Sequence, residues 1–89
     1  MKSKVVLDKK AKKKLSKIDK QQTEMILNWI YKNLNNCSDP YSKGKRLKGN
    51  LSKYWRYRVG NYRLFADIND DIITITIVNI GHRRDIYII

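Results

Sequence analysis

At 89 residues the chain has room for one small domain, 1–89, with a modest core, and Lys+Arg 20 against Asp+Glu 8 leave a formal net charge of +12. Cys37 is the only cysteine, which excludes an internal disulfide and a metal site built on paired thiolates, and no apolar run approaches membrane-spanning length. Such a charge calls for a polyanionic partner, nucleic acid first; a solvated surface or an acidic protein partner are the other ways to accommodate it.

The start, Met1-Lys2-Ser3-Lys4-Val5, lacks the apolar core and cleavage site of a signal peptide, so a soluble cytoplasmic protein with no membrane partner is expected. Val5-Val6-Leu7 reads as a short strand, and Asp8 follows as a helix N-cap. Ala11, Leu15 and Ile18 then recur at helical spacing among Lys9, Lys10, Lys12, Lys13, Lys14 and Lys17. These lysines are either a solvated face or an RNA- or ribosome-facing one, with Lys12 and Lys13 as the candidate contacts.

Asp19 caps a second helix, with Gln22 placed for a capping box. Met25, Ile26, Trp29, Ile30 and Leu34 form its apolar face, and Asn35 to Pro40 supplies the stop. Residues 41–53 read as a long basic connection, in which Lys43, Lys45, Arg46 and Lys48 are suited to an RNA backbone.

Tyr54 to Val59 and Tyr62 to Ile68 read as a β-hairpin closed by Gly60-Asn61. Strand alternation puts Arg56 and Arg58 on one face and Trp55, Tyr57 and Val59 on the other, and the turn folds Arg63 back beside them. Tyr54 and Tyr62 fit either the core or a base-stacking role. Asn69-Asp70-Asp71 is a turn. Ile72 to Ile80 is a β-branched central strand, broken by Gly81 and followed by His82-Arg83-Arg84-Asp85-Ile86-Tyr87. The order β-α-α-β-β-β predicts an α+β fold: a four-stranded, largely antiparallel sheet with a helical hairpin packed on one face.

If the last three strands are neighbours, Arg56, Arg58, Arg63, His82 and Arg83 gather with Tyr87. Arg84 either binds RNA or pairs with Asp85. Planar, permanently charged guanidiniums on a rigid sheet are suited to one phosphate in one geometry. Carboxylates are nearly absent from this set, and a two-metal nuclease needs several.

Three blocks make the chain resemble the RelE/ParE superfamily of bacterial toxins from toxin–antitoxin pairs. They are Arg46-Leu47-Lys48-Gly49, then Trp55 through Leu64, then Val78 through Tyr87. The resemblance runs over essentially the whole chain and implies one of two activities. RelE-like members cut messenger RNA in the ribosomal A site; ParE-like members inhibit DNA gyrase and lack the nuclease cluster. Arg56, Arg58, Arg63, Arg83 and Tyr87 match the basic and tyrosine positions of the RelE-like side, and His82 the Gly-His-Arg form of many relatives. The resemblance thus implies a ribosome-dependent endoribonuclease with an acidic antitoxin partner, no cofactor and no metal. The ribose 2′-OH would attack the adjacent phosphate, leaving a 2′,3′-cyclic phosphate and a 5′-OH. His82 and Tyr87 are both candidates for proton transfer. A plain RNA-binding module is a third reading.

Overall fold

The computed structural model describes residues 3–84. Strand β1 (Lys4–Leu7) leads into helices α1 (Lys9–Ser16) and α2 (Lys20–Asn33). Strands β2 (Gly44–Arg46), β3 (Tyr54–Val59), β4 (Tyr62–Asn69) and β5 (Thr74–His82) follow, with a single 3-10 turn at Gly49–Leu51 before β3. The sheet order is β1-β5-β4-β3-β2, parallel between β1 and β5 and antiparallel elsewhere.

The α+β class and the helical hairpin match the sequence reading, but the sheet has five strands, not four. The extra strand lies in the basic connection read as loop. A three-residue strand is too short to show a period-two pattern. It forms because Gly44 has no side chain: a Cβ there would stand 2.3 Å from the Arg56 carbonyl oxygen and 2.8 Å from both the Trp55 and Tyr57 rings. β5 also differs from its expected bounds. It begins at Thr74 because Ile73 sits in the turn with φ +40°, and it runs through Gly81 to His82.

Both aspartates cap helices. Asp8 Oδ1 accepts from the Ala11 N–H at 2.9 Å, and Asp19 Oδ1 accepts from the Gln21 N–H at 3.0 Å. α1 and α2 cover one face of the sheet. Ala11, Leu15, Ile26, Ile30 and Leu34 meet Tyr57, Val59, Leu64, Ala66, Ile75, Ile77 and Ile80 in one buried cluster, and the Trp29 ring lies 5.7 Å from that of Tyr57. The buried Tyr57 hydroxyl donates to the Pro40 carbonyl, which ties the segment entering β2 to the core; burial raises its pKa, so it stays a donor. Gly60 opens the β3–β4 turn at φ +58°, where a II′ hairpin turn places glycine, and a Cβ there would meet the Met25 side chain at 3.0 Å.

α1 owes its stability to this packing, its cap and the favourable Lys13 and Lys14 of its last turn, since the charges of its first turn oppose it. Lys9 and Lys10 stand in the first turn, at the positive end of the helix dipole, with no acidic residue there. Lys9–Lys13 and Lys10–Lys14 are like-charge pairs four residues apart. Lys9→Glu should therefore stabilise the protein by about 0.5–1 kcal/mol, read as a higher denaturation midpoint.

Candidate nucleic-acid interface

Strand register assembles the site on the sheet face away from the helices. Arg58 pairs with Arg63 across β3–β4, and Arg63 pairs with Gly81 across β4–β5. Directly paired residues point to the same side of a sheet. Arg58 and Arg63 therefore stand side by side, and Gly81 leaves the next position without a side chain. The Arg83 N–H donates to the Asn61 carbonyl at 2.7 Å, which carries the ladder past the end of β5 and draws Arg83 to the hairpin turn. Arg58, Gly60, Arg63 and Arg83 line one hollow.

A second hollow adjoins it and shares Arg58. Ser42, Lys43, Gly44, Lys45, Arg56 and Arg58 line it. Lys45 pairs with Arg56 across β2–β3, so β2 brings a lysine onto the arginine face. Among the described residues, no carboxylate lines either hollow. Phe65 and Asn79, paired across β4–β5 and both buried, lie on this face next to Arg56, which pairs with Phe65.

The charge arrangement is costly in the free protein. Like charges directly opposite across a strand pair destabilise a sheet. The Arg63 Nε is buried and has no hydrogen-bond partner among the described residues. An unmet buried donor costs about 1–3 kcal/mol. An anion in the hollow would offset the repulsion between the guanidiniums. Among the described residues, no group of three or more His, Cys, Asp or Glu comes together as a metal site would require.

The sequence-predicted residues divide among several places. Arg56, Arg58, Arg63, Arg83, Lys43 and Lys45 come together. His82 does not join them. It pairs with Tyr62, on the helix side of the sheet, and its ring meets the Tyr62 ring edge-on with centroids 5.4 Å apart. The cause is a β-bulge. Ile77 pairs with Ala66 and Asn79 with Phe65, so Val78 is an extra residue that reverses the alternation along β5. The His82 Nδ1 accepts from the Arg84 N–H at 3.2 Å, which fixes the turn that carries Arg83.

Arg46 also parts from its neighbours. It pairs with Trp55, on the helix side, and its guanidinium carbon lies 5.7 Å from the Trp55 ring centroid. Lys48 caps the 3-10 turn and is exposed; Arg84 is exposed in the turn after β5. Lys12 and Lys13 lie on α1, across the sheet from the arginines. Tyr87 lies outside the described residues. Sequence reasoning missed the partnership of Lys43 and Lys45 with Arg56, for which Gly44 is the signal: a glycine among basic residues before a strand marks a close backbone approach.

A family model described as "ParE toxin of type II toxin-antitoxin system, parDE" matches residues 5–87. The chain belongs to this family. As a toxin of the RelE/ParE superfamily, it is similar to Toxin RelG of Mycobacterium tuberculosis, with 39% identity over 49 residues. That match spans 55% of this toxin and 56% of RelG, little more than half of either chain. A chain of the RelBE2 toxin–antitoxin complex from Mycobacterium tuberculosis shares the fold at a TM-score of 0.85 and 26% identity, over 96% of this toxin and 95% of that chain. A mutant of E. coli RelE in the free state has the same fold at a TM-score of 0.73 and 17% identity, over 94% of this toxin and 86% of that chain.

Proposed function

We propose that this toxin is a RelE-like endoribonuclease that cuts messenger RNA in the ribosomal A site without a metal ion, acts in the cytoplasm, and is held in check by an acidic antitoxin. The observation that carries the reading is the hollow lined by Arg58, Arg63 and Arg83, with no carboxylate among its described residues. That is a site for one phosphate. The partner reading draws on the likeness to the RelBE2 complex and on the charge of +12.

In the proposed reaction the ribose 2′-oxygen forms a bond to the adjacent phosphorus and the bond to the 5′-oxygen breaks. The 2′ proton leaves to a base, and the departing 5′-oxygen takes up a proton. Negative charge on the phosphoryl oxygens rises in the transition state. Arg58, Arg63 and Arg83 stabilise that charge, because guanidiniums held in place beforehand need no reorganisation as it develops. Tyr87 is the candidate for proton transfer, on its match to the RelE-like pattern. His82 takes a positioning role, through the turn that presents Arg83.

A second reading, gyrase inhibition, is favoured by the ParE family match itself. The arginine hollow speaks for the nuclease, since three arginines lining one hollow suit a single phosphate. Expression of the toxin should stop protein synthesis while leaving plasmid supercoiling intact, and co-expression of an acidic antitoxin should restore growth. Lost supercoiling with translation continuing would select the gyrase reading.

A further inference from the structure

Beyond the hollows, the arginine face carries an acidic residue. Asp67 is the only carboxylate in the five strands. It pairs with Tyr54 across β3–β4 and with Thr76 across β4–β5. The three side chains therefore form a row on the same side of the sheet as Arg56, Arg58 and Arg63. Asp67 is exposed, and Tyr54 and Thr76 are half-buried. Tyr54 thus belongs to this face and not to the core.

Local structure does not account for Asp67. Aspartate is depleted in strands. On so cationic a protein it would serve stability best in an ion pair, yet among the described residues Asp67 makes no ion pair and no hydrogen bond. Its charge would also repel an RNA backbone wherever the two met. Asp67 stands four residues along β4 from Arg63, about 13 Å at the rise of a strand. It is clear of a phosphate held among the arginines and faces the next part of the same strand. There a carboxylate gains only from a base, whose edge carries N–H donors.

The chemistry selects the base. A carboxylate has two acceptor oxygens and no donor. Guanine presents adjacent N1–H and N2–H donors, which two carboxylate oxygens meet together, and an O6 acceptor, to which the Thr76 hydroxyl can donate. Adenine and cytosine each set a ring-nitrogen acceptor beside one amino group, and uracil sets one N–H between two carbonyls. Each of these would turn an acceptor toward the carboxylate. The Tyr54 ring beside it is a stacking surface. The Lys53 ammonium lies 4.9 Å from that ring's centroid, and base stacking is the stronger contact, so a base would take its place. We infer that Asp67 is a specificity-determining residue, which reads a guanine in the part of the strand beyond the phosphate held by the arginines. The inference rests on the reading above only in taking the arginine face as the strand site.

The test measures, by fluorescence anisotropy, binding of the full-length toxin to short 2′-O-methyl strands, which cannot be cut. Each strand is uridine throughout except for one central guanine, inosine, adenine or cytosine. The wild-type toxin should bind the guanine strand about 10-fold more tightly than the adenine or cytosine strand, the order of discrimination that one bidentate base contact supplies. Inosine lacks the 2-amino group and should fall between. Asp67→Asn exchanges one acceptor oxygen for a donor at nearly constant shape. It should abolish the guanine preference: the guanine strand loses affinity, while the adenine and cytosine strands keep theirs or gain, because a repulsive charge has gone. A merely structural role for Asp67 would move all four strands alike, and that result would overturn the inference. So would a wild-type toxin that holds the four strands equally or holds none of them, or a guanine preference that survives Asp67→Asn. No probe is cleaved, so failure of ribosomal cleavage would remove the nuclease reading and leave this result standing.

Discussion

Arg63→Ala should lower single-turnover cleavage of messenger RNA on a programmed ribosome at least ~100-fold, and Arg83→Ala should do the same. Removing one preorganised donor to a developing oxyanion costs about 2.7–4 kcal/mol of transition-state stabilisation. Arg63 is the stronger case, because its Nε is already buried with no partner among the described residues and its neighbour across the strand is Arg58. The loss should persist at saturating ribosome, which marks it as chemical rather than a loss of binding. Stability should move the other way: alanine removes a like-charge cross-strand pair and an unmet donor, so the variant should melt no lower than wild type. His82→Ala should cost less than either arginine change, since His82 acts through the Arg83 turn. The pH–rate profile of that variant should keep its wild-type shape near neutrality, because the imidazole is on the helix side of the sheet. If His82→Ala erased a titration near neutral pH, the imidazole would be a catalytic group and the register argument would fail.

Gly44→Ala should dismantle the outer half of the site without touching a charge. The added Cβ would stand 2.3 Å from the Arg56 carbonyl oxygen, a backbone atom that cannot swing aside. β2 must then separate from β3. That forfeits its pairing, the seat of Lys45 beside Arg56 and the stacking of Arg46 on Trp55. The expected destabilisation is about 1–3 kcal/mol, the usual cost of overpacking. Single-strand affinity should fall, with the salt slope reduced by about two as Lys43 and Lys45 leave the hollow. Wild-type melting and affinity in the variant would mean that β2 does not pair as described.

Much of this architecture can be read from residue order, and where it cannot, the reason is local. The apolar seams of α1 and α2, both aspartate caps and the Gly60-Asn61 turn carry their own signals, and hairpin alternation alone puts Arg56, Arg58 and Arg63 on one face. Three features escape. β2 is too short to show periodicity, and only Gly44 hints at it. Ile73 takes φ +40°, a conformation rare for a β-branched residue, so a run that reads as strand from Ile72 begins two residues later. The bulge at Val78 is invisible in composition, yet it decides the site: alternation counted from Ile75 and Ile77 puts His82 beside the arginines, and one extra residue turns it away.

The central claim is that the guanidinium face of this toxin cuts RNA by internal attack of a 2′-oxygen. It is tested most directly by mapping the ends left on messenger RNA when purified toxin acts on a programmed ribosome. Chelator should be present at a level that keeps ribosomes intact. Cleavage in the A site with a 2′,3′-cyclic phosphate and a 5′-OH, lost on Arg63→Ala, is the result this account predicts. Cleavage that leaves a 3′-OH, or none at all while gyrase is inhibited, would contradict it.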